Sequence, residues 1–270
     1  MKTKLLILFL SISLYGFSQE FKGKAIYKRY SNAFSIKTQN KAGEIIESFK
    51  ENKDLRNTYT LNFNKSESSY KKNTVLERPT VQTSSGATFK TISGGDNIIT
   101  YKNIKQNKIQ RNSEFQGKRF FINDKLPKYN WELTGSSKKI GNYLCYEAIH
   151  KQKVVEVQIK GKNGKETITR KNKENITTVW YTPDIPVSNG PLNYWGLPGL
   201  ILQVSDGYSA YLCVEIILNP SEEIEINKPP KRGEFVSLKE FRDMMNKKML
   251  QNSRRRESTS YSVSYNEIIE

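Results

Sequence analysis

Short segments in which polar and apolar residues alternate constrain the fold of this 270-residue chain more than any other feature. Residues 58–64 read Thr-Tyr-Thr-Leu-Asn-Phe-Asn, so every second side chain is apolar. This alternation places the apolar side chains on one face of a β-strand. Similar segments lie at 98–101, 120–122, 154–159, 167–170, 177–181, 200–204 and 210–218. The pattern predicts a mainly β protein built on an antiparallel sheet.

Two details refine this prediction. Asn163-Gly164 separates two of the strand-like segments, and this dipeptide favours a tight hairpin turn. The uninterrupted apolar run at 200–202 indicates a strand that is covered on both faces.

A single amphipathic helix is predicted near the C-terminus. Ser237 and Glu240 have the spacing of a capping box, in which each side chain satisfies a free backbone amide of the other residue. The apolar stripe that follows has helical spacing and consists of Leu238, Phe241, Met245 and Met249. We therefore expect a helix over 236–256 that packs on the sheet, followed by a tail at 257–270 with one late strand at 261–265.

The N-terminus has the layout of a secretory signal peptide. Two lysines precede an apolar run, and Gly16 and Ser18 supply the small side chains of a cleavage site after residue 18. A membrane anchor needs about 20 apolar residues, and Gln19 ends the run too early. We expect residues 1–18 to be removed, 19–235 to form the β domain, and no transmembrane span to remain. The predicted location is the periplasm or the outer-membrane periphery, with secretion as an alternative.

The charge balance is strongly basic, with 44 Lys and Arg against 27 Asp and Glu and a pI near 9.6. Export and the scattered placement of the lysines argue against nucleic acid as a partner. A solvated basic surface and contact with an anionic envelope surface, such as lipopolysaccharide head groups, remain as two interpretations.

Two cysteines, Cys145 and Cys213, would meet an oxidising compartment after export. Each would share a strand face with a glutamate, so both could lie on comparable faces. A disulfide is geometrically reasonable if their strands pack together, and impossible without backbone movement if the strands lie apart.

The sequence assigns no catalytic residue, cofactor or metal ligand. The lone histidine, His150, lies in a lysine-rich context typical of an exposed strand end, and the chain has no nucleophile elbow or zinc-binding motif. One histidine and two cysteines are too few for a closed metal site. Asp184, Asp206 and Glu147 are candidates for carboxylate catalysis, although nothing in the sequence brings two of them together.

The most distinctive motif is WGLPGLI, which we interpret as structural. It consists of Trp195, Gly196, Leu197, Pro198, Gly199, Leu200 and Ile201. Pro198 and Gly199 fit the second and third positions of a type II turn, where Gly199 would adopt a positive φ. Gly196 would allow close backbone approach beside Trp195. We expect the motif to hold an irregular connection so that the strand from Leu200 enters the sheet.

These residues resemble the GLPGLI family of exported Bacteroidota proteins, whose hexapeptide occurs unaltered at 196–201. The resemblance covers about residues 100–220 and extends to 121–124, Leu126-Pro127, Trp131, 138–145, 180–182, 185–188 and Gly190-Pro191. It implies export and a β-rich fold but no activity, and Cys213 lies outside the pattern. By looser analogy, such a fold is similar to the open half-barrel of lipoprotein carriers.

Three functions remain open. The first is a non-enzymatic binding or accessory protein of the cell envelope, because some of the 15 Tyr and 12 Phe could line a groove for a small apolar ligand or contact an envelope protein. The second is a structural or assembly partner of an outer-membrane transporter or secretion system. The third is a hydrolase that uses carboxylates.

Overall fold

The computed structural model describes residues 21–31, 35–39, 45–49, 58–73, 97–162, 165–256 and 260–268, and in these ranges the chain is mostly strand. The predicted signal peptide and the Asn163-Gly164 turn lie outside them. A single described helix, α1, spans Leu238–Arg256. The strands are β1 (Lys22–Ser31), β2 (Ser35–Gln39), β3 (Ile45–Phe49), β4 (Thr58–Asn64), β5 (Glu67–Lys72), β6 (Ile99–Asn103), β7 (Lys108–Phe115), β8 (Lys118–Lys125), β9 (Glu132–Ile140), β10 (Tyr143–Lys162), β11 (Lys165–Thr182), β12 (Leu200–Ser205), β13 (Ser209–Leu218), β14 (Glu234–Val236) and β15 (Ser260–Ile268).

Thirteen of these strands form one open sheet. Their order is β14-β8-β7-β6-β5-β4-β1-β13-β12-β11-β10-β15, with β9 also paired to β10, while β2 and β3 form a separate hairpin. Most pairs are antiparallel, and β14 runs parallel to β8. The sheet does not close on itself, so the prediction of a mainly β, antiparallel and open architecture with one C-terminal helix is confirmed.

The first strand of the sheet lies between strands from distant parts of the chain. On one side β1 pairs with β4, and on the other it pairs with β13, with a register shift after Ile26. The strands from β4 to β8 follow one another as simple antiparallel neighbours. The sheet therefore consists of runs of consecutive antiparallel strands joined by long-range pairings, which include β1 with β13, β14 with β8 and β15 with β10.

Alternation along these strands gives the sheet two faces. Paired residues on neighbouring strands project to the same side, so the registers Tyr27↔Tyr59 and Thr100↔Arg111 define what we call the inner face. Leu61 and Phe63 are fully buried on this face and pack with Tyr27. The apolar residues that alternate along 58–64 therefore lie on the inner face, and the polar residues between them lie on the opposite, outer face.

A long ribbon extends from one end of the sheet. The segments 167–170 and 177–181, predicted as two strands, belong to the single strand β11, which pairs with β10 from Lys162↔Lys165 to Tyr146↔Tyr181. The C-terminal segment is more ordered than a tail, because β15 pairs with β10 over nine positions from Val154↔Ile268 to Lys162↔Ser260. The ribbon is therefore three-stranded over much of its length.

The capping box at the start of α1 forms as the sequence predicts. The Ser237 amide donates to Glu240 Oε2 at 2.7 Å, and the Glu240 amide donates to Ser237 Oγ at 3.1 Å. Phe241 is buried against Phe120 and Ile122 on the inner face, whereas Met249 is 46% exposed. The apolar stripe therefore packs on the sheet at its N-terminal end. Among the described residues, no helix has an apolar stretch long enough to cross a bilayer.

Candidate functional site

The connection from β11 to β12, residues 183–199, lies against the inner face. Its side chains Ile185 and Val187 are buried in one cluster with Tyr27 and Leu200. Backbone bonds fold the connection onto the start of β12, because Leu200 N donates to Ile185 O at 3.0 Å and Ile201 N donates to Asn189 O at 2.9 Å. This packing is consistent with our interpretation of the motif as a structural connection that leads into β12.

A buried lysine holds this connection to the sheet. Lys102 on β6 is fully buried, and its Nζ donates to Gly190 O at 2.7 Å and to Tyr194 O at 2.9 Å. Burial lowers the pKa of Lys102 well below its usual value of 10.5. Two further bonds act beside it, from Ser68 Oγ to Asn189 Oδ1 at 3.1 Å and from the Tyr27 hydroxyl to the carbonyl of the β12 residue 201 at 2.7 Å.

Two tryptophans fasten the motif to the segment before β9. Trp131 Nε1 donates to Trp195 O at 2.9 Å, and Trp195 Nε1 donates to Pro127 O at 2.7 Å. Both bonds satisfy indole N–H groups that would otherwise lose water on packing. Two of the segments that carry the family resemblance therefore contact each other directly.

The glycines of the motif act differently from the prediction. Gly196, not Gly199, has a positive φ, of 98°, and a Cβ there would lie 3.3 Å from Trp131 Nε1. Gly199 has no positive φ, and a Cβ there would collide with the carbonyl of Thr182. The predicted positive φ at Gly199 is wrong. Position 199 requires glycine because the Thr182 backbone approaches closely, whereas position 196 requires it because the backbone there adopts a positive φ.

His150 lies in mid-strand in an aromatic cluster, not at an exposed strand end. Its ring centroid is 5.3 Å from that of Tyr129 and 5.9 Å from that of Trp131, and Tyr129 also contacts Tyr194 at 5.5 Å. Its Nδ1 lies 3.2 Å from the Asn130 amide nitrogen. These contacts are those of a packed ring.

The three candidate carboxylates lie on different elements. Glu147 on β10 accepts a bond from Thr134 Oγ1 at 2.7 Å, and Asp206 lies in the turn before β13, where it accepts from the amides of Tyr208 and Ser209. Asp184 follows β11. No group of three or more metal-ligating side chains occurs within the ranges that the structure describes.

Cys145 and Cys213 are both buried free thiols. Their strands, β10 and β13, are separated in the sheet by β11 and β12, so the disulfide considered from the sequence is not formed. Burial raises the pKa of each thiol to about 12. Both side chains therefore act as core residues.

A group of tyrosines and arginines occupies the inner face beside the connection. We call Arg29, Tyr59, Tyr70, Arg111 and Tyr211 the Tyr–Arg cluster. The rings of Tyr59 and Tyr70 stack with centroids 5.4 Å apart and planes at 1°, and Tyr59 meets Tyr211 edge-on at 5.9 Å. The registers Tyr70↔Thr100↔Arg111 place Arg111 two strands beyond Tyr70. The register Arg29↔Tyr211 places Arg29 on β1, between the strands that carry Tyr59 and Tyr211.

The two arginines are held by neutral groups. Arg29 Nη2 donates to Ser209 Oγ at 3.0 Å, and the Arg111 guanidinium carbon lies 5.9 Å from the ring centroid of Phe241 on α1. Burial raises the pKa of Tyr211, and the positive charges of Arg29 and Arg111 partly offset this rise.

Buried polar atoms of the cluster have no partner. The Tyr70 hydroxyl and Arg111 Nε make no hydrogen bond within the described structure. Solvent does not satisfy Tyr70 either, because this residue is only 3% exposed. Burial raises the pKa of Tyr70 well above its usual value and lowers that of Arg111. An unsatisfied buried polar group costs about 1–3 kcal/mol, so such atoms mark places where a partner is missing.

The amino-acid sequence alone does not reveal the Tyr–Arg cluster. Its members come from five strands, and the segment around Arg111 reads Lys-Ile-Gln-Arg-Asn-Ser, which gives no signal of burial. The alternation of Tyr59 with Leu61 predicts a shared face but not the neighbours that meet there. Apolar ring faces beside convergent polar donors are the composition of a small-molecule site.

Comparisons with known proteins give one family. Residues 131–203 match the sequence profile of a family described as "Protein of unknown function (Porph_ging)", which is named for Porphyromonas gingivalis, a member of the Bacteroidota. The match includes Trp131, WGLPGLI and most of β12. No curated protein sequence matches the chain.

Two solved structures, titled "Structure of PNGF-II in C2 space group" and "Structure of PNGF-II in P21 space group", are similar to this chain. Each is 15% identical over 83% of this chain, with TM-scores of 0.46 and 0.47. The chain covers 32% of each of those proteins, and thus spans about a third of their length.

Proposed function

We propose that this protein is exported to the cell envelope and there binds a small ligand at the Tyr–Arg cluster, without catalysis. The observation that carries the proposal is the pair of buried, unpartnered polar atoms, the Tyr70 hydroxyl and Arg111 Nε. A ligand polar group would remove the cost of leaving them unsatisfied. The tyrosine rings would supply apolar contact area for the rest of the ligand.

The leader-like sequence of residues 1–18 supports export. Mass spectrometry of the N-terminal peptide in an envelope fraction would test this part. We expect a mature chain that begins at Gln19, and an intact Met1 in a cytoplasmic fraction would contradict export.

Native mass spectrometry of the protein purified from its own cell envelope tests the binding itself. We expect a species of higher mass that loses a small molecule under gentle activation. The variant Tyr70→Phe removes only the unpartnered hydroxyl and should lower the occupied fraction. The matched control is Tyr208→Phe, since Tyr208 is 59% exposed in the turn before β13.

The other results of this experiment are equally informative. A bare monomer for the unaltered protein would overturn the proposed binding function. A second polypeptide in the spectrum in place of a small molecule would favour an assembly role. Equal occupancy in Tyr70→Phe and Tyr208→Phe would place the ligand elsewhere on the protein.

A further inference from the structure

We infer that the ligand of the Tyr–Arg cluster is an anion, with a carboxylate or phosphate head held between Arg29 and Arg111 and an apolar body packed on the tyrosine rings. This inference rests on the proposed binding function and adds the chemical class of the ligand. Three observations support it: the unpartnered polar atoms are hydrogen-bond donors, the charges around them are positive, and aromatic rings lie beside them.

Both unpartnered atoms can donate a hydrogen bond. Arginine has only donors, and Arg111 Nε carries one N–H that meets no acceptor within the described chain. The Tyr70 hydroxyl can donate as well. A ligand that accepts a hydrogen bond from either atom needs an acceptor atom, and carboxylate and phosphate groups offer several acceptor oxygens.

The charges of the cluster are also uncompensated. Neither Arg29 nor Arg111 lies within ion-pair distance of a carboxylate in the described chain. Asp206, which raises the pKa of Tyr211, contributes one negative charge against the two positive charges of Arg29 and Arg111. The cluster therefore carries net positive charge.

The ring geometry provides the apolar part of the site. The rings of Tyr59 and Tyr70 stack on each other, the ring of Tyr211 meets Tyr59 edge-on, and Phe241 of α1 lies on the Arg111 side. These rings would supply the aromatic surface that packs on a flat or hydrocarbon body next to the charged head. The formal net charge of +17 for the full sequence would further raise the local concentration of anions.

NMR spectroscopy of the 15N-labelled protein can observe the Arg111 Nε–Hε group directly. Its resonance is assigned by its disappearance in Arg111→Lys. The probes are phenyl phosphate and benzoate, which share a ring and differ in the head group, and benzyl alcohol, which has the ring without a charge. We expect both anions to shift the Arg111 resonance and benzyl alcohol to leave it unchanged. The anion that binds more tightly identifies the preferred head group.

Variants test whether the cluster provides the binding energy. Arg29→Gln removes one exposed guanidinium and should weaken binding of the anionic probes by about tenfold, which corresponds to about 1.4 kcal/mol. Tyr70→Phe should weaken it less. The control is Arg119→Gln, because Arg119 is exposed on β8 and lies 3.8 Å from Glu114, so the same charge is lost away from the cluster.

Each outcome separates this inference from the proposed function. If benzyl alcohol binds as tightly as the anions and Arg29→Gln has no effect, the ligand is neutral and only the anion inference fails. If Arg29→Gln and Arg119→Gln weaken binding equally, the anions follow the general basic surface, which also overturns it. No shift of the Arg111 resonance at millimolar anion would overturn it too, and native mass spectrometry would still decide whether a ligand is carried.

Discussion

Replacing Lys102 with methionine should change how stability depends on pH. The Lys102 amine is fully buried and donates to the Gly190 and Tyr194 carbonyls of the connection. A neutral amine has two N–H groups, which matches the two acceptors, so both bonds survive loss of the proton. Because burial lowers the pKa of Lys102, the folded protein favours the neutral amine.

The sign of the effect follows from proton linkage. Between the lowered pKa of folded Lys102 and the usual value of 10.5, the unfolded chain holds a proton that the folded chain does not. The free energy of unfolding should therefore rise with pH across this window, by about 1.4 kcal/mol per pH unit, and fall as pH falls through it. Lys102→Met lacks this contribution, and it also leaves two carbonyls without a donor, at about 1 kcal/mol each.

Urea unfolding followed by tryptophan fluorescence measures the difference. Between about pH 7 and pH 9.5, below tyrosine ionisation, the stability gap between the unaltered protein and Lys102→Met should widen as pH rises. Ser68→Ala is the control, because it removes a neighbouring buried bond to Asn189 but no titrating group, and its gap should stay constant. A constant gap for Lys102→Met as well would refute a neutral buried amine.

Three further predictions concern the core and the helix. Gly199→Val should lower the free energy of unfolding by about 3 kcal/mol or more, because a Cβ there meets the Thr182 carbonyl, and an unchanged melting temperature would contradict this. Cys145 and Cys213 should resist iodoacetamide in the folded protein and react after unfolding, since burial raises their pKa values to about 12; fast alkylation of the folded form would show that they are accessible. Ser237→Ala should cost about 1 kcal/mol in urea unfolding through loss of its cap on α1, whereas Ser237→Asp should retain most of it.

Local patterns in the sequence predict the parts of this fold that depend on neighbours in the chain. The alternation around Leu61 and Phe63 identifies the buried side of β4, and the Ser237 and Glu240 spacing identifies the start of α1. Both depend on interactions within one turn or one strand. For the same reason the sequence predicts strands but not their order, because the position of β1 between β4 and β13 depends on contacts between distant segments.

The parts that the sequence analysis missed depend on such distant contacts. The polar first half of β11 has no apolar alternation, so its continuity with 177–181 is set by pairing with β10. The role of Gly196 depends on Trp131, which is remote in the sequence, and the role of Gly199 depends on Thr182 at the end of the preceding strand β11. Arg111 is half-buried and lies against Phe241, which is far along the chain on α1. A Tyr–Arg cluster assembled from five strands has no local sequence signature.

The pairing of β1 with β13 also sets the time at which this protein can fold. The amide of Lys22 bonds to the Asn219 side chain, a separation of 197 residues. At about 5–20 residues per second of synthesis, roughly 10–40 s pass between the appearance of these two residues. During this interval β1 has at most one neighbour in the main sheet and an open edge. We therefore expect slow folding that completes only after β13 has been made, in keeping with the low rates of proteins rich in non-local contacts.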